Sequence, residues 1–137
     1  MNVKLWLMAG IVIFLVLALS EFLFHVVVLQ PMYVQTAQLW RTEQDAQKHW
    51  PMLWIGQAIF AFAFAFVFTK GYEDKGPLEG VRYGFYMFLV IEPWRVLTQC
   101  AVMPVPWRLC LYWLGVGLVE FLLCGLVLAS IYRESAA

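Results

Sequence analysis

Apolar residues fill four long blocks of this chain, separated by short breaks rich in proline, glycine or charge. The first block extends from Leu5 to Gln30, between Lys4 and the Gln30-Pro31 pair. The second runs from Met52 to Thr69, opened by Trp50-Pro51 and closed by Lys70-Gly71. The third begins at Val81 or Arg82 and ends at Met103, and the fourth spans Leu109 to Tyr132. Each is close to the roughly 20 residues that carry an α-helix across a hydrocarbon core. Within the second block Phe60-Ala61-Phe62-Ala63-Phe64-Ala65-Phe66 alternates as a strand would, but a lone strand leaves its backbone unpaired in lipid, so helix is expected here as well. Pro104-Val105-Pro106 leaves room only for a tight turn, which makes the third and fourth helices antiparallel neighbours.

The segment from Pro31 to Trp50 is the one sizeable connection. Tyr33, Ala37 and Trp40 share a helical face there, and Thr42 with Asp45 three residues on can cap a second stretch, so an interfacial helix on the outer side is expected. Gly71 to Pro77 reads as a solvated turn. The expected fold is therefore all-α: a polytopic membrane protein of four transmembrane helices in an antiparallel bundle, forming a single membrane domain over residues 1–137.

Composition strengthens the membrane assignment. Hydrophobic residues make up 64% of the 137 residues and charged ones 13%, whereas soluble domains carry about a quarter charged. The first block is too long for the apolar core of a signal peptide, since it continues through Phe22-Leu23-Phe24 to Leu29, and is expected to stay as a helix. Lys4, Lys70, Lys75, Arg82 and Arg133 fall on one side of a four-span topology, against Arg41, Lys48 and Arg108 on the other. That bias puts both termini in the cytoplasm. Trp50, Trp54, Trp107 and Trp113 then gather at the outer interface as an aromatic belt.

The candidate chemistry lies in the polar residues inside the blocks. Ala18, Glu21 and His25 share a stripe of the first helix; Gly84, Phe88, Glu92, Arg95 and Gln99 share one of the third; Trp113, Gly117, Glu120 and Cys124 share one of the fourth. A charge at the centre of a span costs about 2.5 to 3.5 kcal/mol, so three glutamates and an arginine facing lipid would together cost about 10 kcal/mol. They are expected to face protein. Glu21, His25, Glu92, Arg95, Gln99 and Glu120 thus form the expected binding or proton-labile cluster, with the alternative that Glu92 and Arg95 are a structural ion pair holding the bundle together. Three carboxylates meet one fixed cation, Arg95, so either His25 is protonated or a glutamate carries a proton. Pro93, next to Glu92, frees a carbonyl and is a candidate kink.

Cofactor signals are weak and the cofactor is left unknown. His25 is alone among histidines within a block, which leaves at most single axial ligation of a macrocycle. Cys100, Cys110 and Cys124 lack metal-site spacing; Cys100 and Cys110 flank the outer turn, where they can pair or stay free, and Cys124 is too deep. No Gly-rich phosphate loop, HExxH or GxSxG element is present, and a net charge of zero argues against nucleic acid. Ala58, Ala61 and Ala65 form a small stripe beside Gln57, and Gly117 with Gly125 thins the fourth helix, both suited to close helix approach.

Gly80-Val81-Arg82-Tyr83-Gly84-Phe85, Pro106-Trp107-Arg108-Leu109, Leu114-Gly115-Val116 and Gly125-Leu126-Val127-Leu128-Ala129 together resemble the second half of an uncharacterised family of small four-span bacterial inner-membrane proteins. The resemblance covers about half the chain. It implies a bacterial inner-membrane location and a four-helix bundle, and carries no established activity. The expected function is a small membrane accessory or ligand-binding subunit without catalysis of its own, whose partners are the lipid bilayer and a second copy or a larger complex. A small oligomeric transporter or proton-coupled carrier is the alternative, and a redox-cofactor subunit the third.

Overall fold

The computed structural model describes residues 2–136, with side chains through Tyr132, and is helical almost throughout. Helix α1 covers Val3–Glu21 and continues into a π-helical stretch, Phe22–Val28, whose wide turn closes with the Leu29 amide donating to the Phe24 carbonyl at 2.8 Å. A short α2 (Gln30–Gln35) and a 3₁₀ turn (Ala37–Leu39) follow. The long helices α3 (Glu43–Gly71), α4 (Pro77–Val102) and α5 (Trp107–Ala136) complete the chain. The side chain of Arg133, used above for orientation, lies outside the described residues.

Several boundaries differ from those expected. The Pro31–Trp50 connection is not one interfacial helix: α2 and the 3₁₀ turn end at Trp40, and α3 starts eight residues before Pro51. Thr42 caps that start, accepting from the Asp45 amide at 3.3 Å, and Arg41 donates to the Asp45 carboxylate at 2.7 Å. Pro51 removes one helical bond, that to the carbonyl of the exposed Gln47, and the helix passes through. Helix α4 likewise begins early, at Pro77, after Gly76 with φ +81°. Buried Glu79 in its first turn accepts from the amides of Glu73 (2.6 Å) and Lys75 (2.7 Å), so the expected solvated turn is pinned by a carboxylate. Helix α4 also stays helical through Pro93.

Three stretches, Val3–Val28, Glu43–Gly71 and Trp107–Tyr132, are long and apolar enough to cross a membrane. Helix α4 is as long, but Glu92, Arg95 and Gln99 dilute its apolar content.

Packing proceeds in two pairs. Helices α4 and α5 run antiparallel in close contact: Gly80 lies against Gly125, Gly84 against the Phe121 carbonyl, and Glu92 against Gly117. A Cβ at Gly80 or Gly84 would overlap the backbone of α5, so glycine sets the approach distance. Beyond Val96 the pair is closed covalently by the Cys100–Cys110 disulfide, with Cα atoms 6.5 Å apart across the Met103–Pro106 turn. Helices α1 and α3 form the second pair. The Trp6 indole donates to the Phe62 carbonyl (3.0 Å), Gln57 donates to the Phe14 carbonyl (3.1 Å), and Ala61 and Ala65 are buried. Helix α1 joins the pairs by packing on α5.

Two apolar clusters result. One fills the end holding the termini, with Ile13, Phe64, Phe68, Phe121 and Leu128 at its centre. The other fills the opposite end around Leu29, Val96, Leu109, Trp113 and Val116. Trp113, expected in an aromatic belt, is only 7% exposed and belongs to this second cluster; Trp50, Trp54 and Trp107 are exposed.

Candidate functional site

Between the two clusters lies a polar layer. On α1 the chain passes from Leu17 in the first cluster to Leu29 in the second through Ser20 and Glu21. On α4 it passes from Phe88 to Val96 through Glu92, and on α5 from Phe121 to Val116 through Glu120. Ser20, Glu92 and Glu120 are each less than 9% exposed. The stripes bring Ser20, Glu92 and Glu120 inward at one level, whereas the side chains of Glu21 and Arg95, expected to face protein, are 50% and 54% exposed.

Glu92 and Arg95 form a two-point pair on α4: Arg95 Nε donates to Glu92 Oε2 at 3.1 Å and Nη2 donates to Oε1. The three-residue spacing places the guanidinium one turn beyond the carboxylate, and Gly117 on α5 leaves space for the Glu92 side chain, whose Cγ would lie 2.7 Å from a Cβ there. Glu120 has no basic neighbour on α5. Its partner comes from α1, where Ser20 Oγ donates to Oε1 at 2.7 Å. Its other oxygen has no hydrogen-bond partner among the described residues.

Glu21 lies at 3.4 Å from His25 Nε2 on the next turn. His25 Nδ1 is 2.6 Å from the Tyr33 hydroxyl, which also accepts from the Trp113 indole at 2.7 Å. An indole N–H is donor only, so the Tyr33 proton is free to go to His25 Nδ1, and the imidazole then presents Nε2–H to Glu21. Burial pushes the Tyr33 hydroxyl above its ordinary pKa, keeping it a neutral donor. A chain of polar contacts thus runs from α2 and α5 at the disulfide-bearing end to Glu21, its last link the 3.4 Å approach of His25 Nε2. The π-helical stretch supplies its geometry, since His25 sits in the widened turn.

Glu21, Glu92, Arg95 and Glu120 line a cavity of about 410 Å³. Glu21 of α1 and Glu120 of α5 form its back. Gln57 with Leu53, Gly56 and Phe60 forms the α3 wall, and Glu92 and Arg95 with Ile91 form the α4 wall. Because α1 packs on α3 and α5, and α5 on α4, the remaining side is the seam between α3 and α4. Toward the termini that seam is shut, where Tyr83 donates to the Phe64 carbonyl (2.6 Å) and packs against Phe64 and Phe68. The cavity opens on the outer surface of the helix bundle above this point.

Of the six residues expected in the cluster, Glu21, Glu92, Arg95 and Glu120 line the cavity and His25 stands behind Glu21. Gln99 points elsewhere, its amide toward Met103 Sδ at 3.9 Å. Ser20 and Gln57 are polar members that the sequence reading did not place in the site. Among the described residues no group of three or more metal-ligating side chains occurs.

Searches against protein-family models, curated proteins and solved structures return no match.

Proposed function

We propose that the chain is a four-span membrane protein, an antiparallel bundle of α1, α3, α4 and α5, that binds an amphipathic small molecule without catalysing a reaction on it. One observation carries this reading: polar side chains from four helices meet in a single apolar-walled cavity that opens sideways between α3 and α4. In a bilayer that opening faces hydrocarbon, so a ligand enters with its head at the polar layer and its tail between Leu53, Phe60 and Ile91. Although α4 carries Glu92 and Arg95, these turn toward the cavity, which supports counting it as the fourth span. The disulfide supports the orientation read from basic residues. It favours an oxidising compartment for the Met103–Pro106 turn, hence a periplasmic turn and cytoplasmic termini in a bacterial inner membrane.

Gly56 gives a clean test. It lines the cavity, and a Cβ there meets nothing within 4 Å. Gly56→Leu is expected to fill the cavity while leaving the fold intact. Native mass spectrometry of protein purified in mild detergent should show a retained small molecule on the parent chain and none on the variant. Equal retention by both would place the ligand elsewhere.

A second reading, a proton-coupled carrier working as an oligomer, draws on the Trp113–Tyr33–His25–Glu21 chain, which links the cavity to the disulfide-bearing end. His25→Phe would then abolish pH-dependent uptake while leaving ligand retention unchanged.

A further inference from the structure

We propose that the cavity selects a lipophilic cation, an amine whose ammonium group sits among Glu21, Glu120 and Gln57 with its hydrocarbon part directed into the α3–α4 seam. This deepens the ligand-binding reading above and rests on it. The groups around the cavity are mostly acceptors. Arg95 uses Nε and Nη2 on the two oxygens of Glu92, so this pair is internally matched. Gln57 uses its amide N–H₂ on the Phe14 carbonyl, which leaves its carbonyl oxygen as an acceptor. Glu120, only 7% exposed, gives one oxygen to Ser20 and keeps the other unpartnered in the cavity that it lines. Among the described residues the one ion-pair contact of Glu21 is His25, at 3.4 Å, and an imidazole is not a fixed cation.

Two carboxylates therefore lack a fixed counter-charge in a space walled by Leu17, Leu53, Phe60, Ile91 and Phe121. A ligand bearing N–H donors and positive charge supplies both what the acceptors and what the charge balance lack. Phe60 and Phe121 rings, 5.5 Å apart edge to face, offer π-surface to the same cation. An anion would instead add a fourth negative charge beside one guanidinium. A neutral alcohol would satisfy an acceptor but leave the charge uncompensated.

The test uses the full chain in nanodiscs and three matched probes, 4-phenylbutylammonium, 4-phenylbutanol and 4-phenylbutanoate, followed by equilibrium dialysis with empty nanodiscs subtracted. The ammonium is expected to saturate at one per chain and to bind at least tenfold more tightly than either analogue. Glu120→Gln and Glu21→Gln, each checked for monodispersity and helical content, should each weaken the ammonium at least tenfold and leave the alcohol within threefold. Equal saturable binding of all three probes, or preference for the carboxylate, would overturn the cation assignment and leave the ligand cavity standing. If none of the three saturates above empty nanodiscs, the ligand-binding reading falls with it. Should one glutamine variant fail to fold, the other carries the same comparison.

Discussion

Replacing Arg95 by leucine should expose how much of this bundle depends on the Glu92–Arg95 pair. Glu92 is 4% exposed and accepts both of its hydrogen bonds to the arginine from that one side chain. Removing the guanidinium strands a carboxylate against Gly117 and the apolar faces of Phe88 and Val96. Breaking a buried pair in this way costs about 3 to 5 kcal/mol. The Arg95 side chain is itself 54% exposed, so the pair is only partly buried and the lower end of that range is expected. Glu92→Leu alone removes the carboxylate and leaves the arginine free to reach Glu120 or Glu21, so its cost should be smaller. The double variant should recover at least about 1 kcal/mol of the sum of the two single losses, a coupling within the usual range for residues in direct contact. Unfolding in mixed micelles by sodium dodecyl sulfate titration, read by far-ultraviolet circular dichroism, measures all four corners of the cycle. Single losses that add to the double within about 0.5 kcal/mol would refute the pair as an energetic unit.

Other contacts give simpler expectations. Gly84→Leu places a side chain into the Phe121 carbonyl and should cost at least about 1 to 3 kcal/mol by forcing α4 off α5; an unchanged melting temperature would contradict the close approach. Cys110→Ala opens the Cys100–Cys110 loop and should lower stability by about 2 to 3 kcal/mol, an effect that dithiothreitol reproduces on the parent chain and not on the variant. The Tyr132 hydroxyl is buried without a hydrogen-bond partner among the described residues, so Tyr132→Phe should be neutral or stabilising by up to about 1 to 3 kcal/mol, and a clear loss in thermal unfolding would reveal a partner.

The sequence disclosed the parts of this protein that obey long-range periodicity. Apolar blocks of membrane-spanning length mark α1, α3 and α5, and the three-to-four-residue stripes correctly turn Glu92, Glu120 and Cys124 inward. Local geometry was harder to read. Pro51 looks like a helix start because proline ends most helices, yet the bond it removes belongs to the carbonyl of the exposed Gln47, and the polar stretch after Thr42 is helical in its own right. The π-helical turn at Phe22–Val28 has no residue signature, because Val and Phe suit ordinary helix in lipid equally well. Ser20 carries no signal of its own in the sequence, and nothing short of helix packing could assign it to Glu120 across one hundred residues. A signal for the tight α4–α5 seam was present, since Gly80 and Gly84 stand in a Gly-x-x-x-Gly spacing; it is legible once the facing Gly125 is known.

The same spacing explains why a cavity exists at all. Helix α4 leans on α5 through glycine at one end, with backbones in contact at Gly80 and Gly84, and is tied to it by the disulfide at the other. On α3 the small residues Ala61 and Ala65 are fully buried. Where Tyr83 spans to Phe64 and Phe68, α3 and α4 close. Above that contact the two helices present Gly56 and Ile91 to each other across open space, and the polar layer fills its back. The small residues that tighten two helix pairs thus leave the gap between them, and the charges of α4 are tolerated because they point into it.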